Sequence, residues 1–479
     1  MTDRNVRIEK DSLGEFAVPA DAYWGINVGR ALENFPISRR RIHPRIVDAF
    51  CRIKKCAAKV NRAAGRLTAE QANAIRQAAD DVLGGMLRDQ FVVDVFQAGA
   101  GTSTNMNVNE VLCNRALEIL GRPKGEYKLL TPNDHVNMGQ STNDSYPAAS
   151  RLAAVDALVE FYPEAEQLAG ALAALGKKFA KIVKSGRTHL QDAVPVTLGG
   201  EFAAYGAAIR ASLQHVQRTA GDLYDLGLGG SAVGTGVNTH PAYAREIARE
   251  LSHETGHKYR KAKDLMHAMQ SQAPIGRTSG ALRDFAVELG RIANDLRLLA
   301  SGPMTGLAEI VLPPVQAGSS IMPGKVNPSI PEMVNMVCFH VIGNDLTVSQ
   351  AVAAGQLELN VMMPVMAENL LESIEILTSA CRQLRVRCID GIVADAGRCQ
   401  DYAYRSLGLA TALLPHIGYL NAAVVAKRAL KEGKTVPELV REAAMLTEAQ
   451  LKRVLDPVRM TRPDPDMARK KIVPKNAKT

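Results

Sequence analysis

The sequence predicts a mainly α-helical protein with three domains, the middle one a long central bundle of about five helices. Three observations carry this. Leu282, Phe285, Leu289, Ile292, Leu296 and Leu299 step by three and four, as do Leu168, Leu172, Leu175, Phe179 and Ile182. Phe202, Tyr205, Ile209, Leu213 and Val216 form a third helical stripe. Sustained seams of this kind belong to long helices packed side by side. Aromatics are only 5% of the chain while Ala and Leu dominate long stretches, which favours helix over strand.

The elements follow in order. Val6 to Val18 reads as a short extended opening, and Ala69–Leu83 as a shorter helix among several Pro and Gly breaks. This first region, 1–144, is a mixed, mostly helical domain. The central bundle occupies 145–395, with further long helices expected from about Glu332 to Ala354 and from about Pro364 to Cys388. Residues 396–479 form a small helical C-terminal domain ending in a basic tail with Arg469, Lys470 and Lys471. Long bundle helices carry more apolar circumference than five of them cover, so lateral association with other subunits is expected.

At 479 residues the chain can bury a large core, and 46% hydrophobic with 22% charged residues places it among globular proteins. No apolar run looks long enough to cross a bilayer, and Met1 to Lys10 is charged, unlike a secretory signal; no membrane partner is expected. The seven cysteines include no C-x-x-C pair, which suggests reduced thiols and a cytoplasmic protein. A net charge of +9 raises nucleic-acid binding. Arg39-Arg40-Arg41 and the basic tail lack interleaved aromatics for base stacking, so nucleic acid is not expected as a partner and small dianions fit better. No metal motif or P-loop is present, and neither a metal nor a cofactor is required.

Four polar segments interrupt the Ala/Leu background. They are Gly99 to Asn107, Gln140 to Ser145, Gly186 to Asp192, and Gly318-Ser319-Ser320-Ile321-Met322-Pro323-Gly324-Lys325-Val326-Asn327-Pro328. The last packs two serines, two glycines, two prolines and a lysine into a loop suited to a carboxylate or phosphate. Gln140 to Ser145 has the chemistry of a helix start, with Pro147 just inside the helix. Plain capping explains any one of its residues. Repetition of hydroxyl-plus-amide chemistry in several segments beside helices points instead to convergence on an anion.

His189 follows Arg187-Thr188 and is expected in a loop before a helix that begins near Thr197. Glu332 fits a capping box with Ser329, and could equally pair with a histidine; the two roles are compatible. Gly227-Leu228-Gly229-Gly230-Ser231-Ala232 matches G-x-G-x-x-A, but it follows a helix and reads as a flexible inter-helix loop, not a nucleotide site.

With these segments together, the chain resembles the aspartase/fumarase superfamily over nearly its whole length. The run Gly318 to Pro328 looks like that superfamily's signature. Gly101-Thr102-Ser103, Gln140-Ser141-Thr142-Asn143-Asp144, Lys124-Gly125-Glu126-Tyr127 and Gly355 to Asn360 resemble the aspartase branch more than the fumarase branch, which typically shows G-T-Q-S and Q-S-S-N-D at the first two places. Thr188-His189 occurs in both. One departure is Met363, where aspartases usually show Glu: either an acidic group near the site has become apolar, or the position is a helix-surface contact.

The resemblance implies a three-domain subunit, a homotetramer with a twenty-helix core, and active sites shared by three subunits. It also implies reversible deamination of the small dicarboxylate L-aspartate to fumarate through an aci-carboxylate. Ser319 would be the catalytic base. Thr102, Ser141, Thr142 and Ser320 would hold the developing charge, Thr188, Lys325 and Asn327 the other carboxylate, and Asn143 and His189 would lie near the amino group, with Glu332 in support. The alternatives are hydration of fumarate to malate, or a non-catalytic scaffold on the same fold.

Overall fold

A computed structural model describes residues 5–318 and 320–463. Ser319, the first four residues and the basic tail from 464 lie outside the described residues. The chain opens on an antiparallel hairpin of β1 (Val6–Asp11) and β2 (Gly14–Pro19), with Val6 opposite Pro19. Helices α1 (Ile26–Asn34), α2 (Pro44–Ala63), α3 (Ala69–Leu83) and α4 (Thr102–Ile119) follow. Thr68 and Gln71 close the start of α3 as a reciprocal capping box, which is why that boundary is readable from sequence.

The long helix α5 (Thr142–Lys178) leads to an antiparallel hairpin of β3 (Val183–Thr188) and β4 (Gln191–Thr197), and then to α6 (Leu198–Ala220). The two-residue β5 (Asp225–Leu226), helix α7 (Tyr243–Thr255) and the two-residue β6 (Arg260–Lys261) come next, with β5 parallel to β6. After α8 (Leu265–Gln270) come α9 (Ala273–Leu299), β7 (Ile310–Val311), α10 (Ser329–Ala353) and α11 (Met363–Arg387). β8 (Val393–Ala394) pairs antiparallel with β7. The chain continues through α12 (Ala396–Arg405), α13 (Leu414–Glu432), α14 (Val436–Glu442), α15 (Glu448–Val454) and α16 (Pro457–Met460). The protein is thus mainly α, with α5, α6, α9, α10 and α11 as the five long helices expected between 145 and 395.

The chain divides into two compact units. The first contains residues up to 164, 212–287 and 336–380. In it α2 packs on α3, α4 and α7. Phe50 meets Tyr146 edge-on at 5.7 Å, and Phe161 meets Phe285 at 5.1 Å. Ser279 donates to Asp345 at 2.6 Å, joining α9 to α10, and Asn344 donates to Ser373 at 3.1 Å, joining α10 to α11. Met363 is buried here, so it is not a helix-surface contact, and its apolar side chain suits that place.

The second unit contains 165–211, 288–335 and 381 onward. Phe179 packs edge-on against Phe202 at 5.6 Å, and α12 lies against β3. The apolar seams behave as their spacing requires. Leu168, Leu172, Leu289, Ile292 and Leu296 are fully buried, and Ile182 half-buried.

One stretch tests the sequence reading of membrane segments. Leu407–Glu432 is long and apolar enough to cross a bilayer by length and composition. The backbone breaks at Gly418, whose φ of 78° and ψ of 165° are not helical, which divides the stretch into two pieces each too short to span. Leu409, Leu413, Ala422, Val425 and Ala429 from it build a buried cluster with Val436, Leu439 and Leu451.

Where α5 and α6 cross, the backbones touch. A Cβ on Gly206 would sit 2.8 Å from the carbonyl oxygen of Ala169 and 3.1 Å from the amide nitrogen of Ala173. Gly206→Val gains only about 0.3–0.5 kcal/mol of helix propensity. It loses about 1–3 kcal/mol to overpacking against backbone that cannot move aside. Denaturant unfolding should therefore show a lower midpoint; an unchanged midpoint would contradict the close crossing.

Candidate active site

The proposed site residues fall in both units. Thr102 and Ser141 to Asn143 belong to the first; Thr188, His189, Ser320, Lys325, Asn327 and Glu332 belong to the second.

In the first unit, two helix starts meet. Gly101, with φ at 81°, precedes α4, and a Cβ on it would overlap the ring of Tyr146. Only glycine lets the chain turn into α4 there. Thr102 is the first residue of α4 and is exposed, its hydroxyl 3.4 Å from the Gly99 carbonyl. One turn on, the carboxamide of Asn105 donates to the hydroxyl of Thr142 at 2.9 Å, tying α4 to the first residue of α5.

Ser141 caps α5. Its hydroxyl accepts from the Asn143 amide at 3.2 Å, and its own N–H donates to the Asp144 carboxylate at 2.9 Å. This is the reciprocal logic of a capping box, with Asp in the third position. Asp144 is fully buried. Its other oxygen accepts from the amides of Gly229 and Ser231, both at 2.9 Å. Asn143 donates to the Ala232 carbonyl at 2.9 Å. The Gly227–Ala232 segment, read from sequence as a flexible inter-helix loop, is thus a brace fastened to the start of α5. It follows the short strand β5, not a helix. Burial pushes the Asp144 carboxyl up to about 6, against the pull of its three N–H donors and of Lys54.

Behind these helix starts sits Lys54, fully buried on α2. Its ammonium donates to the side-chain oxygens of Asn105 and Asn137, both at 2.8 Å. Asn137 in turn donates to the Gln140 carbonyl at 3.2 Å. Burial pulls Lys54 down to about 7, opposed by the charge of Asp144. Sequence reading missed Lys54 and Asn137, and gave Asn105, inside its first polar segment, no role of its own. The available signal was a lysine one helical turn after Phe50, within the apolar face of α2.

In the second unit, Thr188 ends β3 and His189-Leu190 form the two-residue turn of the β3–β4 hairpin. Both have left-handed backbone, with φ of 57° and 58°. The loop expected at His189 is therefore a tight two-residue turn between paired strands, with a geometry that normally favours Asn or Gly. Thr188, His189 and Leu190 are exposed at its tip.

The stem is held from beneath. Glu309, fully buried, takes Arg187 on one oxygen at 2.8 Å and Lys184 on the other at 2.7 Å. Lys184 also reaches Glu201 at 3.0 Å, and the Arg187 guanidinium lies 5.5 Å from the centre of the Tyr402 ring. Glu309 has no sequence signal, because its partners Lys184 and Arg187 are more than a hundred residues away.

The signature loop closes on itself. The Gly318 amide donates to the Lys325 carbonyl at 3.0 Å, and the Asn327 carboxamide donates to the Gly318 carbonyl at 2.7 Å. A Cβ on Gly318 would collide with the Lys325 carbonyl. Ser320 and Lys325 are exposed. The catalytic serine expected at 319 lies outside the described residues. Glu332 sits in the first turn of α10, its amide bonded to the Pro328 carbonyl, so Ser329 is already inside the helix and is not its cap. The Ser329 hydroxyl accepts from Gln316 instead, at 3.3 Å. Among the described residues no group of three or more His, Cys, Asp or Glu side chains could hold a metal.

Comparison with known proteins gives this geometry a context. The family described as Lyase matches residues 14–343, and the one described as Fumarase C C-terminus matches 409–462. An aspartate ammonia-lyase of Bacillus sp is 46% identical, covering 96% of this chain and 98% of its own length. The Escherichia coli K12 aspartate ammonia-lyase is 48% identical, covering 93% and 94%. A Brucella melitensis structure described as fumarate lyase:delta crystallin bound to cobalt superposes with a TM-score of 0.92 at 49% identity, over 96% of this chain and all of that one. A class II fumarase from Schistosoma mansoni superposes with a TM-score of 0.93 at 35% identity, over 95% and 99%. The chain belongs to the aspartase/fumarase superfamily of lyases.

Proposed function

We propose that this protein is a carbon–nitrogen lyase that reversibly removes ammonia from L-aspartate to give fumarate. The full-length similarity to aspartate ammonia-lyases, at 46–48% identity against 35% for the class II fumarase, carries the choice of substrate.

The chemistry follows from what must be stabilised. A base removes a Cβ proton next to the side-chain carboxylate, and the electron pair spreads onto its oxygens as an aci-carboxylate. The pair then returns to form the Cα=Cβ double bond as the C–N bond breaks, and the C–N electrons leave with the protonated amino group as ammonia. The Cβ proton is weakly acidic, so the barrier falls only if preorganised donors meet the charge as it builds. In this reading Thr102, Ser141, Thr142 and Ser320 are those donors. Thr188, Lys325 and Asn327 hold the second carboxylate, Asn143 and His189 lie near the amino group, and Glu332 supports the histidine. Ser319 is the base, activated by exclusion of water once the loop closes over substrate. Rigid support for two of the donors comes from the cap at Ser141 and the Asn105 contact at Thr142.

The site is completed by assembly into a homotetramer, with three subunits contributing to each active site. Two observations support this. Thr102, Thr188, His189, Ser320 and Lys325 are all exposed in a single chain. α10 presents Met336, Phe339 and Leu346 at 67%, 66% and 64% exposure, a helical stripe too apolar to face water. The three-domain division at 144 and 395 is kept, supported by the start of α5 and by α12 beginning at Ala396. A cytoplasmic setting is supported by Cys51, Cys56, Cys113, Cys338, Cys388 and Cys399, which are buried and form no disulfide.

Purified protein given aspartate should produce fumarate, read by ultraviolet absorbance, together with free ammonia. Malate formation from fumarate under the same conditions, with aspartate untouched, would make it a hydratase instead. Ser319→Ala should lower kcat by about a thousandfold or more, with an unchanged circular dichroism spectrum. Near-normal turnover in that variant would remove Ser319 from the base role. Phe339→Asp combined with Leu346→Asp should dissociate the assembly in light scattering and abolish turnover together. A variant that stays assembled would refute the α10 interface.

A further inference from the structure

We infer that Lys54 is a positioning residue that fixes the direction of the hydrogen bond at Thr142, so that the Thr142 hydroxyl must give its proton to substrate and not to the protein. The inference rests on the reading of Thr142 as a site hydroxyl given above.

The argument is one of donors and acceptors. A hydroxyl can donate one hydrogen bond, and a carboxamide has one end that donates and one that accepts. If Asn105 turned its oxygen toward Thr142, the hydroxyl would spend its proton on that oxygen. Lys54 forbids this orientation. An ammonium has three protons and no lone pair, so whatever faces it must accept. Asn105 therefore turns its oxygen to Lys54, at 2.8 Å, and is left with its NH2 facing Thr142, at 2.9 Å. Asn137 is oriented by the same head: oxygen to Lys54 at 2.8 Å, NH2 to the Gln140 carbonyl at 3.2 Å. Even the neutral amine would keep two N–H donors, as many as the two oxygens it faces.

Burial makes the arrangement strict. Lys54, Asn105 and Thr142 are 0%, 1% and 8% exposed, so bulk water is a poor substitute for any of these partners. With its acceptor role filled by Asn105, the Thr142 hydroxyl keeps its proton for an outside acceptor. Ser141 is set in the same sense, its oxygen accepting from the Asn143 amide. Two adjacent hydroxyls are thus poised as donors at the place where carboxylate charge builds up.

The test inverts the polarity without changing the shape. In Asn105→Asp both side-chain oxygens accept, so Lys54 is satisfied by an ion pair and the Thr142 hydroxyl donates inward. We expect kcat for aspartate to fall roughly a hundredfold, the scale of one lost oxyanion donor, while KM shifts less than about threefold. In a Thr142→Val background the same Asn105→Asp change should cost little more, because the proton it misdirects is already gone. An equal loss in both backgrounds, or wild-type turnover in Asn105→Asp, would overturn the inference. Neutron diffraction from deuterium-exchanged crystals of the unaltered protein gives a readout independent of the reaction. The Thr142 deuteron should point away from Asn105, and a deuteron on the line between them would also overturn it. If unaltered protein leaves aspartate untouched, the proposed function fails, and the deuteron position alone decides this point.

Discussion

The start of α5 depends on the carboxylate of Asp144. Removed from water, that group must find donors within the protein, and it finds them in three backbone amides: Ser141 at the cap and Gly229 and Ser231 across the loop. An unsatisfied buried carboxylate would cost several kcal/mol. Its neutralisation therefore specifies where the loop from 227 to 232 lies and how Ser141, Thr142 and Asn143 are presented. Two of the hydroxyls proposed for the site, those of Ser141 and Thr142, sit on this helix terminus, whose placement is fixed by burial; in that reading a flexible side chain becomes a preorganised donor.

The second unit solves a related problem with a different device. The hairpin that carries Thr188 and His189 turns in two left-handed residues, neither of them glycine. Such a turn is kept only where its surroundings over-determine it. Glu309 does so by binding both Lys184 and Arg187, the cations of the strand leading into the turn. Buried ion pairs give little net stability, because desolvation offsets the attraction. Here the gain is placement: a strand anchored at two points holds its tip in one position.

What could be read in the sequence, and what could not, divides by the range of the interactions. The long helices were legible because a seam such as Leu282, Phe285, Leu289 and Ile292 carries its own periodicity. The boundary of α3 was legible because its capping box is local. His189 does lie in a loop before α6, as expected, but the strands β3 and β4 on either side were missed because His-Leu is not a turn signature and their pairing supplies the information instead. The Gly227 to Ala232 segment was misread as flexible because its anchor, Asp144, lies more than eighty residues earlier. The hydroxyls proposed for the site, and the signature loop, were picked out from their local composition. The supporting layer of Lys54, Asn137 and Glu309 was not, because a buried charge is recognised only by what surrounds it.

The fastening of the signature loop has a thermodynamic consequence. The Gly318 amide on the Lys325 carbonyl, and Asn327 on Gly318, already join the two ends of the segment. Bringing distant ends of a chain together is an entropic expense that grows with the logarithm of the intervening length. That expense is met when the protein folds, before any ligand arrives. For the dianion capture proposed above, the two ends of the loop need no further ordering, and correspondingly more of the attraction between ligand and loop would survive as affinity.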